Sequence, residues 1–90
     1  MPTTYRAKHI LLEELDDVEY IIEKMNEGQS FEELAKEFSE CTSADNGGDL
    51  GKFSSGQMAP EFERALYHMK PGELKYPIKT KYGYHIILRY

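Results

Sequence analysis

The sequence predicts an α+β fold in which a small antiparallel sheet carries short helices. Two observations carry this reading. Strand-like alternation occurs at the two ends of the chain, in YRAKHILL and YHIILRY, while three short helical stripes lie between them. The chain has 90 residues, 40% of them hydrophobic, which is enough for one core and therefore one domain spanning residues 1–90.

The elements follow in order. From Tyr5 to Leu12, Ile10 and Leu12 share one side of a strand, and Tyr5, Ala7, His9 and Leu11 the other. Asp16 stands three residues before Glu19 as a capping box, and Val18, Ile21, Ile22 and Met25 form a helical stripe that Gly28 stops. Ser30 and Glu33 repeat the box, and Phe31, Leu34, Ala35 and Phe38 repeat the stripe to about Ser39. Both stripes are expected to face one common core. Pro60 suits a first helical position, and Phe62, Ala65, Leu66 and Met69 make a third stripe that ends before Pro71-Gly72. Tyr76 to Thr80 predicts a brief strand and Tyr84 to Tyr90 a stronger one, with Ile86 and Leu88 opposite His85 and Ile87. The first and last strands are the richest in apolar residues, so they are expected to pair at the sheet centre, each giving one face to the helices. That pairing brings His9 and His85 within reach of each other if they lie on the same face.

Between the second and third helices runs GGDLGKFSSGQM, with four glycines in twelve residues and room for a further strand. Gly51 and Gly56 have the spacing of a phosphate-binding G-x-x-x-x-G-K-[ST] loop, but Gln57 and Met58 stand where the lysine and hydroxyl belong. A nucleotide cradle is excluded, and the glycines need another purpose.

Charge and composition narrow the function further. A net charge of −5 with few basic clusters disfavours nucleic acid and acidic membranes. One cysteine, Cys41, precludes an internal disulfide and a multi-cysteine zinc site. A zinc set of His9, Cys41, His68 and His85 lacks the short paired spacing of known ligand sets, so no metal or cofactor is expected. No apolar run has signal-peptide or membrane-spanning length, which points to a cytoplasmic chain, or an exported one if it is a domain excised from a larger foldase. Taken singly, His9 and His85 fit satisfied core histidines, Cys41 a small buried hydrophobe, and Met58 and Phe62 a helix stripe.

Together these residues carry a resemblance. AKHILL, SFEELAKEFSECTSA, GGDLGKFSSGQMAPEFERAL and KTKYGYHIILR, in this order and at these separations, resemble the parvulin family of peptidyl-prolyl cis-trans isomerases over essentially the whole chain. The resemblance implies a four-stranded antiparallel sheet surrounded by three to four short helices. It implies that His9 and His85 are the family's paired histidines, with Cys41 where relatives carry cysteine or aspartate and Thr80 as a hydroxyl partner. It places Leu50, Met58 and Phe62 in the proline pocket, and gives Gly47, Gly48, Gly51 and Gly56 the task of turning the backbone around Leu50. The implied partners are proline-containing polypeptides, met by a monomer. The loop after the first strand, Glu13-Glu14-Leu15-Asp16-Asp17, is acidic where the phosphate-directed branch is basic, so unmodified X-Pro segments are expected. Two other classes remain open: a peptide-binding chaperone module of the same fold without turnover, and a thiol hydrolase using Cys41 with a histidine.

Overall fold

The computed structural model describes residues 4–54 and 56–90; Met1 to Thr3 of the N-terminus and Ser55 of the glycine segment lie outside the described residues. In chain order the elements are β1 (Thr4–Leu12), α1 (Leu15–Asn26), α2 (Phe31–Phe38), a 3-10 turn (Thr42–Asn46), β2 (Asp49–Ser54), α3 (Pro60–Tyr67), β3 (Leu74–Thr80) and β4 (Gly83–Arg89). The four strands form one antiparallel sheet in the order β2-β1-β4-β3, with the first and last strands at its centre.

The sheet is covered on both faces, not one. Ile10, Leu12 and Ile86 pack with Val18, Ile21, Phe31 and Leu34 of α1 and α2. Tyr5, Ala7 and Ile87 pack on the opposite face with Phe53 of β2 and Phe62, Ala65 and Leu66 of α3. The stripes of α1 and α2 do share a core, as expected, while α3 has its own. Alternation along β1 and β4 sends successive residues to opposite cores, which is why Ile10-Leu11-Leu12 and Ile86-Ile87-Leu88 are continuous apolar runs.

Two local expectations change. The α1 N-cap is Glu14, with no side-chain cap bond, and Asp16 and Asp17 lie in the first turn. There they face the positive end of the helix dipole, a favourable place for carboxylates that needs no cap geometry. Ser30 does cap α2, accepting the Glu33 N–H at 3.1 Å and donating to Glu33 Oε1 at 3.2 Å. The turn over Thr42–Asn46 is an element that the sequence did not announce, because it is short and buries no residue.

Candidate active site

His9 and His85 project from the two central strands onto the α3 face. In the β1–β4 register His9 faces Ile87 and His85 faces Leu11, so the histidines sit diagonally instead of directly opposite. They still meet: Nδ1 to Nδ1 is 3.0 Å, with the rings 5.2 Å apart and inclined by 17°. Phe62 approaches both edge-on, at 5.4 Å from His9 and 5.3 Å from His85. The histidines are 3% and 4% exposed. Burial holds both pKa values down, to about 4, and His85 adds a repulsive contribution at His9. Both imidazoles are neutral at pH 7.

The hydrogen bonds give the pair a direction. Thr80 Oγ1 lies 2.7 Å from His85 Nε2 and accepts the Tyr82 N–H at 3.2 Å. If Thr80 donates to His85 Nε2, His85 Nδ1–H donates to His9 Nδ1, and His9 carries its proton on Nε2. The reverse order strips Thr80's own proton of a partner while His9 Nε2 still lacks one. His9 Nε2 is the buried ring nitrogen without a partner among the described residues. Counting satisfied groups therefore assigns the first order, with a neutral His9 bearing one unused N–H.

Backbone contacts hold this group in place. The His9 N–H donates to the Gly48 carbonyl at 2.9 Å. Gly48 has φ +83°, and a Cβ there would collide with the His9 carbonyl oxygen, so only glycine permits the approach. This is the purpose of at least one glycine in the GGDLG segment. Further along the same edge of β1, away from β4, the Leu11 N–H donates to Ser39 Oγ at 3.0 Å and the Glu40 N–H donates to the Leu11 carbonyl at 2.9 Å. These bonds hold the segment leading to Cys41 against the edge of β1.

A cavity of about 270 Å³ opens here, walled by His9, His85, Cys41, Met58 and Phe62. Leu11, Gln57, Ala59 and Tyr82 complete its lining. Five of the seven site residues read from the sequence thus surround one space. Thr80 stands behind His85, and Leu50 packs against the Phe62 core cluster while lining a separate, polar depression with Glu32 and Asp49. Phe62 is 1% exposed, so it is a core residue as much as a wall. Leu11 was within reach of sequence reasoning, since alternation puts it on the His9 side; Gln57, Ala59 and Tyr82 carried no such signal.

Cys41 is half-buried, and among the described residues no hydrogen bond joins its sulfur to either imidazole. His68 is exposed and packs its ring against Tyr67. No group of three or more His, Cys, Asp and Glu among the described residues is disposed to hold a metal ion. No helix among them is long and apolar enough to cross a membrane.

The fold and the site together give an apolar cavity with a neutral hydrogen-bonding wall on a four-stranded antiparallel sheet. The rotamase family, described as the PPIC-type PPIase domain, matches residues 9–89. The foldase protein PrsA of Oceanobacillus iheyensis is 49% identical over 86 residues, which are 94% of this chain and 29% of that protein. The crystal structure of peptidylprolyl isomerase (PrsA) from Bacillus anthracis superimposes with a TM-score of 0.91 at 45% identity, covering 98% of this chain and 41% of that one. The solution structure of NmPin, the parvulin of Nitrosopumilus maritimus, gives a TM-score of 0.84 at 40% identity over 97% of this chain and 95% of its own. The chain belongs to the PPIC-type peptidyl-prolyl isomerase family, the parvulins. It spans about three tenths of the length of the curated relatives it matches.

Proposed function

We propose that the domain rotates X-Pro bonds non-covalently in unfolded or flexible polypeptide segments, as part of protein folding. The observation that carries this is the neutral Thr80–His85–His9 chain on the wall of an apolar cavity. An X-Pro bond isomerises over tens to hundreds of seconds because twisting breaks amide resonance, a barrier of roughly 20 kcal/mol. Reaching about 10² to 10³ turnovers per second requires removing on the order of 5 to 7 kcal/mol. Differential binding is sufficient for that. Met58 and Phe62 hold the pyrrolidine ring, with Leu50 packed against the core cluster that contains Phe62. His9, His85 and Cys41 line the wall that meets the rotating carbonyl and the nitrogen that loses conjugation, and Thr80 orients His85 from behind through its hydrogen bond to Nε2.

The substrates are unmodified proline-containing chains, the domain acts as a monomer, and neither nucleic acid nor membrane takes part. Similarity to the foldase proteins supports a role on protein clients. Whether the chain works in the cytoplasm or as part of an exported protein follows from the protein that carries it. A thiol hydrolase is disfavoured, because Cys41 lacks the imidazole contact that would activate it. Exchange NMR on an Ala-Pro peptide, with mass spectrometry of the same sample, tests the proposal. Accelerated cis–trans exchange with an intact peptide is expected; binding without exchange would leave a chaperone module, and cleavage would leave a hydrolase.

A further inference from the structure

The cavity beside the histidines does not end at Met58. A second cavity of about 310 Å³ shares Gln57, Met58, Ala59 and Tyr82 with it and adds Pro60, Glu61 and Lys81. Consecutive Cα atoms are about 3.8 Å apart, so a chain with its proline in the first space must send a neighbouring residue into whatever adjoins it.

Tyr82 forms part of both walls. The residue is 63% exposed, and among the described residues only the Lys81 ammonium stands over its ring, 5.2 Å from the centroid. The hairpin turn that holds it is fixed twice. The Tyr82 N–H is bonded to Thr80 Oγ1. Gly83, at φ +140°, passes so close to β1 that a Cβ would lie 2.5 Å from the Leu12 oxygen. An exposed aromatic ring on a rigid turn beside an apolar cavity is a preformed stacking surface, and one ring face remains after Lys81 has taken the other.

Charge offers the second space no comparable selectivity. Lys81 and Glu61 both line it, and no ion pair between them is formed among the described residues. An acidic or basic side chain entering there gains from one wall what it loses to the other. An uncharged ring meets no such opposition.

We propose that Tyr82 is a specificity-determining residue that favours an aromatic residue next to the substrate proline, by stacking in the space between Met58 and Lys81. This rests on the isomerase reading and extends it to substrate choice. The test uses exchange NMR on three peptides, Gly-Pro-Gly, Phe-Pro-Gly and Gly-Pro-Phe, each in a common flanking sequence. The readout is the ratio of kcat/KM for each Phe peptide to the Gly peptide within one protein, so a general loss of activity cancels. For the wild type, one of the two Phe peptides is expected to be about three- to tenfold better, the range that an aromatic pair supports. Tyr82→Phe should keep that ratio, and Tyr82→Ala should bring it to within about twofold of unity. Turnover with no aromatic preference on either side, or a preference that survives Tyr82→Ala, overturns the inference and leaves the isomerase reading intact. No turnover of any peptide by the wild type overturns both.

Discussion

Acid should unfold this domain through its histidines before its carboxylates titrate. His9 and His85 have folded pKa values near 4 because burial penalises the imidazolium. In the unfolded chain both return to about 6.5. Between those values the unfolded state holds protons that the folded state does not, so stability rises with pH and falls on acidification. Well inside that window each histidine contributes a slope approaching ~1.4 kcal/mol per pH unit, or ~2 to 3 for the pair. From pH 7 to pH 4.5 the loss sums to roughly 5 kcal/mol, comparable to the whole stability of a small domain. Below pH 4 the dependence from these two groups levels off. Urea denaturation at half-unit steps from pH 7 to pH 4.5 measures the slope directly. His9→Leu, which removes one of the two groups while keeping the site filled, should roughly halve it. Stability that is flat between pH 7 and pH 5, or a slope unchanged in His9→Leu, would refute the picture of two buried neutral imidazoles.

Other outcomes follow from the same geometry. Phe62→Ala should cost about 3 to 5 kcal/mol of stability, because the side chain is buried among His9, His85 and Phe53, whereas half-buried Met58→Ala should lower kcat/KM more than it lowers stability. Urea curves and exchange rates on both variants check this, and a Phe62→Ala protein of wild-type stability would contradict it. Cys41→Asp should retain a substantial share of the exchange rate, since the thiol makes no bond to either histidine; complete loss in a folded variant would restore a nucleophilic role. Replacing the residue before proline by phosphoserine should lower kcat/KM, with a penalty that shrinks as salt is added. Glu13, Glu14, Asp16 and Asp17 are all exposed after β1, and Lys81 in the groove is opposed by Glu61. A phosphopeptide turned over faster at low salt would defeat that reasoning.

Much of this structure was legible because local pattern and tertiary demand coincide. The alternation in β1 and β4, the stripes of α1 to α3, and the Ser30 cap each follow from periodicity and short-range hydrogen bonding, and the tertiary contacts reinforce them. Asp16 misled because a carboxylate in the first turn and a carboxylate at the N-cap look alike in sequence; only the backbone conformation at Glu14 separates them. The two-sided core was harder to read. A strand buried on both faces differs from a half-buried one only in degree, and β1 carries charged Arg6 and Lys8 among its apolar residues. The histidine pair was anticipated as a contact, but its diagonal register depends on how β1 and β4 are aligned, which no residue in either strand dictates by itself. Leu50 and Tyr82 show the same limit at the site. Leu50 sits in a motif that suggested the pocket yet packs against the core cluster that contains Phe62, and Tyr82 gains its place only because the hairpin sets it between two cavities.

The central claim is that X-Pro rotation occurs in the cavity between the neutral histidine pair and Met58. It is tested most directly by titrating the domain, labelled at the methionine methyl groups and the imidazole nitrogens, with an Ala-Pro peptide while cis–trans exchange is followed in the same NMR tube. The Met58 methyl, His9 and His85 resonances should shift together and saturate at the peptide concentration that half-saturates exchange, with both histidines remaining neutral throughout. Rapid exchange while those resonances stay unmoved, or shifts centred instead on the depression around Glu32 and Asp49, would contradict the account.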